Sequence, residues 1–412
     1  MNRTRIIILT GNHACHNPRA LKEAEALAEA GYEILWLGGW FDRDRAERDR
    51  RLFNGAKWKF RAVSDWTSSW RGNISHQRQR IRRRFAAEAL DRLKIVSPWQ
   101  LGYNVTELLR AALAETADLY IAHSESAIWV AAQLLKHGKR IGVDMEDWFS
   151  EDLPVESRKG RPMSLLKELE KTVLTKSVYK TCPSEVMSKA LAETYQCEPP
   201  TVIYNAFPYK DRQNLDGKIK ERRSYSTPSV HWFSQSVGTG RGLEDLFRAL
   251  PFVTGQMEIH LRGAGSRSIQ SWIETTVPPK WQDHLFLHPV VHNDELLSRV
   301  AEHDIGLALE PKEPPNRNLA ATNKLMQYLL AGLAVIASDT AGHREVADKA
   351  NGALMLYKSG DAESLALVLN RLIECKEAIK TAKQLAIDTA RRTFCWENTK
   401  GALINAAARA LK

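Results

Sequence analysis

The 412-residue chain contains only five cysteines, Cys15, Cys182, Cys197, Cys375 and Cys395. Their number is odd and none falls in C-x-x-C spacing, which excludes a disulfide scaffold and points to a reduced, cytoplasmic setting. Long apolar runs are missing as well. The first, Ile6 to Leu9, is too short for the core of a signal peptide, and the longest, around Leu325 to Ala337, is interrupted by Gln327 and Gly332. The expectation is a soluble protein, or at most one peripheral at the inner face of a membrane. No short-period repeat or low-complexity tract occurs. The first strand-loop-helix lacks G-x-G-x-x-G, which disfavours a dinucleotide on that strand.

What is present is an ordinary globular composition, 43% hydrophobic and 26% charged, long enough for two or three domains. The net charge is +10, and its excess is local: between Phe41 and Lys94 stand 13 Arg and 3 Lys against 7 acids. A local excess favours one anionic contact over a general nucleic-acid coat. The same segment carries Trp58, Trp66, Trp70 and Trp99 near RQRIRRRF at 78–85. Basic and aromatic residues together suit an anionic membrane surface, contacted through 41–94, or a lipid-pyrophosphate acceptor. A solvated insertion is the plain alternative. No nucleic-acid recognition motif is found, so no nucleic-acid partner is expected.

Short β-branched runs alternate with helical patterns, the mark of βαβ units and parallel sheets. The spacing predicts strands at Arg5–Leu9, Glu33–Leu37, Leu119–Ala122, Arg140–Val143, Val178–Cys182 and Thr201–Tyr204 in a first half. In a second half it predicts strands at Val230–Ser234, Met257–Arg262, Leu285–His288, Ile305–Glu310, Ala334–Ser338 and near Ala353–Leu356. Between the halves, 208–228 holds two prolines flanking the charged run KIKERR and reads as a linker. The expected organisation is a domain over 1–207 with a basic insertion at 41–100, the linker, and a domain over 229–394. The last helix, about 395–412, is expected to pack back on the first domain.

Certain loops carry chemistry. After the first strand stand His13, Asn17 and Arg19. His13, Cys15 and His16 fit no zinc spacing, and no metal is expected. The loop Gly238-Thr-Gly240-Arg241-Gly242 enters a helix, where glycines admit close approach, free amides attract phosphate and Arg241 offers a charged fork. Gly263 lies in a second glycine loop. Asn323 and Lys324 open another helix, where the dipole and the ammonium both favour an anion. Glu146 and Asp147 cluster after a strand, with acceptor contacts or plain solvation both open. Asp42-Arg43-Asp44 spells D-x-D but sits in an arginine-rich run and reads as a solvated charge pattern.

In order, HNPRALKEAEALAEAGYEI, ADLYIAHSE, CPSEVMSKALAETY with TVIYNAFP, RGLEDLFRAL, LRGAG, DELLSRVAEHDIGLAL and NKLMQYLLAGLAVIASD resemble the retaining glycosyltransferases of the GT-B fold, in the family 4-like group 1. The resemblance spans nearly the whole chain except Phe41 to about Gln100. It implies an α/β protein of two Rossmann-like domains whose parallel sheets face an interdomain cleft. It implies a nucleotide-sugar donor, a glycan or lipid-linked acceptor in cell-surface polysaccharide synthesis, retention of configuration, and no metal or cofactor. By resemblance Gly238, Gly240, Arg241, Asn323 and Lys324 meet the donor diphosphate, and Gly263 lines the same side. His292 and Asn293 fall in the base-binding loop. Gln327 falls on the ribose-binding second glutamate of E-x7-E, and His123 lies near donor sugar and acceptor. His13, Arg19, Glu146 and Asp147 are on the acceptor side. Arg241, Lys324 and His123 are expected to carry catalysis. Two departures stand out: Leu319 and Gln327 replace both glutamates of E-x7-E, and Ser236 stands where many relatives have an arginine. A degenerate nucleotide-binding scaffold and a nucleotide-sugar 2-epimerase are the alternatives.

Overall fold

The computed structural model describes residues 3–67 and 70–412. The chain divides into two units, one running to Ile203 and including Lys400–Lys412, the other Tyr204–Thr399.

In the first unit, seven strands among the described residues form one sheet: β1 Arg5–Leu9, β2 Glu33–Trp40, β3 Lys59–Asp65, β4 Leu119–Ala122, β5 Ile141–Asp144, β6 Tyr179–Cys182 and β7 Thr201–Val202. Their order is β3-β2-β1-β4-β5-β6-β7 and every pairing is parallel. Ile6, Ile7, Ile8 and Leu9 are buried on both faces, as a central parallel strand requires. Pro18 opens the helix Pro18–Glu29, its fixed φ already suited to a first turn. β1 and β4 are neighbours whose connections leave in opposite directions, so a crevice opens beyond their carboxyl ends.

The basic segment expected as an insertion at 41–100 is instead built into this sheet. Lys59–Asp65 pairs with β2 as the edge strand, and helices Arg43–Phe53 and Trp70–Leu93 flank it. The Asp42 side chain caps the helix Arg43–Phe53 by accepting from the Arg45 amide at 2.9 Å. Trp58 is buried against Trp36 and Phe53, and Trp66 stacks on His76. Trp58 is thus a core residue, and Trp66 is half-buried against Phe41, His76 and Tyr103, so neither indole forms a surface girdle. The Trp70 side chain lies outside the described residues.

In the second unit, six strands form an all-parallel sheet among the described residues: β8 Ser229–Ser236, β9 Glu258–Ala264, β10 Leu285–His288, β11 Ile305–Ala308, β12 Ala334–Ser338 and β13 Leu354–Tyr357, in the order β10-β9-β8-β11-β12-β13. One face buries Val230, Trp232, Ile259, Leu261, Ile305 and Leu307 in an apolar core. The segment 208–228, expected as a linker, lies along this unit through paired charges. Arg222 pairs with Asp304 at 3.0 Å, Asp216 with Arg299 at 2.5 Å, and Glu221 with Arg262.

Beneath that segment the other face of the sheet is unusual, because it buries histidines. His231 and His303 stack with ring centroids 4.5 Å apart, His260 lies 4.5 Å from His303, and His260 Nδ1 is 2.9 Å from His288 Nε2. Burial lowers the pKa of all four. Arg262 and the neighbouring rings push the same way, while Glu258 and Glu221 oppose it only in part and leave His260 at about 4. The four rings are therefore neutral in the folded protein and ordinary, near 6.5, in the unfolded chain. Their contribution to stability is complete above about pH 6.5 and is lost as the pH falls toward 4. The melting temperature at pH 5 is expected to lie below that at pH 7, and His231→Phe, a ring that cannot titrate, to narrow the gap. Equal melting temperatures at the two pH values would contradict this.

Candidate active site

The first unit gathers its functional side chains beyond β1, β4 and β5. His123 directly follows β4 and is fully buried. Its Nε2 donates to Glu23 Oε2 at 2.5 Å, and its Nδ1 lies 3.4 Å from Asp144 Oδ2. Arg19 Nε donates to that same Asp144 oxygen at 2.5 Å, and Tyr179 donates its hydroxyl to Glu23. The result is a buried chain, Tyr179–Glu23–His123–Asp144–Arg19, spanning one helix and three strands. Burial alone would strip His123 of its charge, but Glu23, Asp144 and Glu146 outweigh burial and raise its pKa to about 9. At neutral pH the ring is an imidazolium. Its contribution to stability is full below about pH 6.5 and is lost as the pH rises through about 9. Asp144 is likewise held ionised: burial raises its pKa, and Arg19 and His123 lower it further than burial lifts it.

Glu23, His123 and Asp144 also form the one cluster of potential metal ligands among the described residues. Two ligands bonded to one ion at 2.0–2.2 Å would stand roughly 3 Å or more apart. The 2.5 Å separation of His123 and Glu23 suits a shared proton instead.

Glu146 is half-buried just past β5, and Asp147 is exposed. Burial lifts Glu146 first, Asp147 and Asp144 add to it, His123 and Arg19 pull against it, and its pKa stands at about 7. The Ser124 backbone, next to His123, takes φ +78°, a region L residues rarely adopt, and its hydroxyl accepts from the Gly11 amide at 3.1 Å. That bond ties the ends of β1 and β4 together. His13 stands apart from this group. Its Nδ1 donates to buried Asp49 at 3.2 Å, and its Nε2 accepts from the amides of Phe41 and Asp42 at 2.9 and 3.2 Å. Both ring nitrogens are thus committed to holding the β1 and β2 loops, and the ring is buried.

The second unit concentrates positive charge at the carboxyl edge of its sheet. Glu310, just past β11, is buried. Its Oε1 accepts from Lys324 Nζ at 3.3 Å and its Oε2 from Arg317 Nη1 at 2.9 Å. Lys324 also sits over the Trp232 ring at 4.6 Å. Burial, then Arg241 and Arg317, lower the pKa of Lys324 against the pull of Glu310. Arg241 is half-buried in the loop after β8, and burial and Arg317 lower its pKa while Glu310 raises it. Among the described residues its guanidinium makes no hydrogen bond or ion pair. The structure therefore brings Arg241 and Lys324 into one electrostatic group, together with Glu310 and Arg317.

Backbone shape makes room for that group. Gly242 has φ +81°, and a Cβ there would lie 2.5 Å from Leu309 Cβ, so only glycine lets the loop pack against the end of β11. Gly263 is needed for packing too: its Cβ would stand 2.9 Å from Ser234 O and Val237 N. Gly238 and Gly240 are less confined. Asn323 is exposed at the start of the helix Asn323–Ala331. Its cap residue Thr322 makes no bond to the helix amides, because its hydroxyl points to His343 Nε2 at 3.2 Å. Gln327 is half-buried, with Oε1 buried and without a partner. His292 and Asn293 are exposed at the start of Asn293–Ala301, where His292 pairs with Asp294 at 3.1 Å.

Residues 229–375 match the family model described as glycosyl transferases, group 1. No curated protein sequence matches the chain. Among solved structures, Anabaena HepE in complex with UDP and glucose superposes with a TM-score of 0.69 at 15% identity, covering 99% of each chain. Sucrose-phosphate synthase from Thermosynechococcus elongatus gives 0.68 at 14% identity over 98% of each chain. A glycosyltransferase from Rickettsia africae gives 0.67 at 12% identity over the full length of both. The fold is GT-B, and the second unit is similar to the group 1 glycosyl transferases over residues 229–375.

Sequence reasoning placed Arg19, His123, Arg241 and Lys324 but missed Glu23, Glu310 and Arg317, and left Asp144 unassigned within its acidic run. Glu23 was legible in part, since it stands four residues from Arg19 on one helix face. Glu310 was legible as the acid ending the apolar run IGLALE. His123→Ala would leave Glu23 buried with Tyr179 alone. Urea denaturation is expected to register a loss of about 3–5 kcal/mol. An unchanged midpoint would show that the buried chain does not depend on the imidazolium.

Proposed function

We propose that this protein transfers a sugar from a nucleoside-diphosphate sugar to a glycan or lipid-linked acceptor in cell-surface polysaccharide synthesis, with retention and without a metal or other cofactor. The observation that carries this is Arg241, which has no hydrogen bond or ion pair among the described residues, beside Lys324 at the carboxyl edge of the second sheet. Positive charge placed there in advance stabilises a leaving diphosphate as its charge develops, at no cost of reorganisation. The UDP-bound Anabaena structure supports a uridine nucleotide as the first donor to try. In the proposed step the bond from the anomeric carbon to the diphosphate breaks while the acceptor oxygen bonds that carbon on the same face. The acceptor proton passes to the departing phosphate oxygen. The first unit serves the acceptor, with half-buried Glu146 and exposed Asp147 meeting its hydroxyls. The buried His123 and Arg19 act by holding the β4 and β5 ends in place and not by direct contact.

A nucleotide-sugar thermal-shift panel is expected to single out one donor by its stabilisation of the full chain. With that donor, Arg241→Ala and Lys324→Ala should each lose about 100-fold or more in turnover with native circular dichroism. Normal rates in both would reject the assignment. Binding without turnover across a broad acceptor panel would favour a nucleotide-binding scaffold, a reading motivated by Leu319 and Gln327 at the E-x7-E positions.

The proposed setting is cytoplasmic, at the inner membrane face. No helix among the described residues is long and apolar enough to cross a membrane. Helix Trp70–Leu93 exposes Ile74 (60%), Ile81 (53%) and Phe85 (72%). Arg80, Arg83 and Arg84 line a groove of about 420 Å³ beside Ile81 and Tyr103. Exposed apolar side chains among arginines suit an anionic bilayer. Flotation with phosphatidylglycerol vesicles at low salt should carry the protein up, and Arg80→Glu with Phe85→Ser should abolish this. Absence of wild-type flotation would refute membrane attachment.

A further inference from the structure

Three cations in the second unit surround one carboxylate. Lys324 and Arg317 each take one oxygen of Glu310, and Arg241 takes neither. Arg317 reaches Glu310 through Nη1 alone, and among the described residues its Nε and Nη2 make no hydrogen bond. Its side chain keeps 24% of its surface exposed, against 8% for Lys324 and for Glu310. One prong of the fork is therefore anchored and the other is free. Arg317 lies close enough to lower the proton affinity of Arg241, and Arg241 and Arg317 together lower that of Lys324. His343 does not relieve this excess of charge. Its Nδ1 donates to Ser338 O at 3.1 Å, and burial lowers its pKa to about 4, so it is neutral.

Like charges crowded in a half-buried site are unfavourable when it is empty and are relieved by a multivalent anion. A guanidinium with a free prong matches phosphate oxygens in shape as well as charge. We propose that Arg317 is a third cation on the donor diphosphate, and that Glu310 is the positioning residue that holds Arg317 and Lys324 at the separation the diphosphate requires. This inference rests on the donor-site reading above. It adds a ligand that the motif pattern did not supply and a purpose for a buried acid in a site built for anions. Glu310 does not touch the substrate. It acts by fixing two cations, one on each of its oxygens.

Isothermal titration of the full chain with UDP, ADP, GDP and CDP identifies the nucleotide bound. Arg317→Ala is expected to weaken that nucleoside diphosphate by about 10–100-fold. The matching nucleoside, which has no phosphate, should bind as to wild type. Arg317→Lys, which keeps the charge but loses the fork, should recover only part of the loss. Glu310→Gln adds net positive charge while releasing the anchor, so kcat should fall about 10-fold or more while KM for the donor stays level or drops. If the wild type binds none of the four nucleotides, the donor site itself is wrong. If the wild type binds and Arg317→Ala binds equally well, the third-cation assignment alone fails. An unchanged kcat in Glu310→Gln removes the positioning role. Arg317 is partly exposed, so its variants test the proposal even if Glu310→Gln does not fold.

Discussion

A charge taken out of water has to be answered by another charge, and that constraint organises the carboxyl edges of both sheets. In the first unit the answer is complete: Glu23 and Asp144 face His123 and Arg19 in a buried chain closed by Tyr179. In the second unit it is left incomplete: one carboxylate, Glu310, faces Lys324 and Arg317 with Arg241 near by. A charge-balanced network confers rigidity, whereas an unbalanced one confers affinity for whatever supplies the missing charge. The same physics therefore makes one edge a frame and the other a receptor for anions.

Parallel topology is what places these charges where they act. In each sheet the central pair, β1 and β4 or β8 and β11, sends its connections to opposite sides. The loops that follow are then free to converge at one end. Close packing sharpens the convergence. Gly242 brings the Arg241 loop against the end of β11, and the strained Ser124 draws the β4 end onto Gly11. Away from that edge the second sheet tolerates a polar interior, with four neutral histidines under the segment 208–228.

Most of the central strands were legible because a strand buried on both faces has to be an apolar run. The failures have physical causes. β3 escaped notice because it is an edge strand, half exposed, with Lys59 and Arg61 among its residues. β2 continues to Trp40, past the expected end at Leu37, and its pairing with β3 is irregular between Gly38 and Gly39. Trp58 and Trp66 were read with the arginines around them, whereas Trp58 packs into the core and half-buried Trp66 stacks on His76. His13 stood in a loop that invited a ligand and turned out to bind Asp49 and two backbone amides.

By itself the sequence determined the alternation of strand and helix, the two parallel sheets, the glycine loop carrying Arg241 and the helix opened by Asn323 and Lys324. All of these are local patterns, written within a few residues of one another. Only the tertiary structure decided which charges meet. Arg19 finds Asp144 across 125 positions, His123 finds Glu23 across 100, and Lys324 shares Glu310 with Arg317. Such pairs exist only once parallel strands bring distant carboxyl ends to the same edge, and no spacing along the chain encodes that distance.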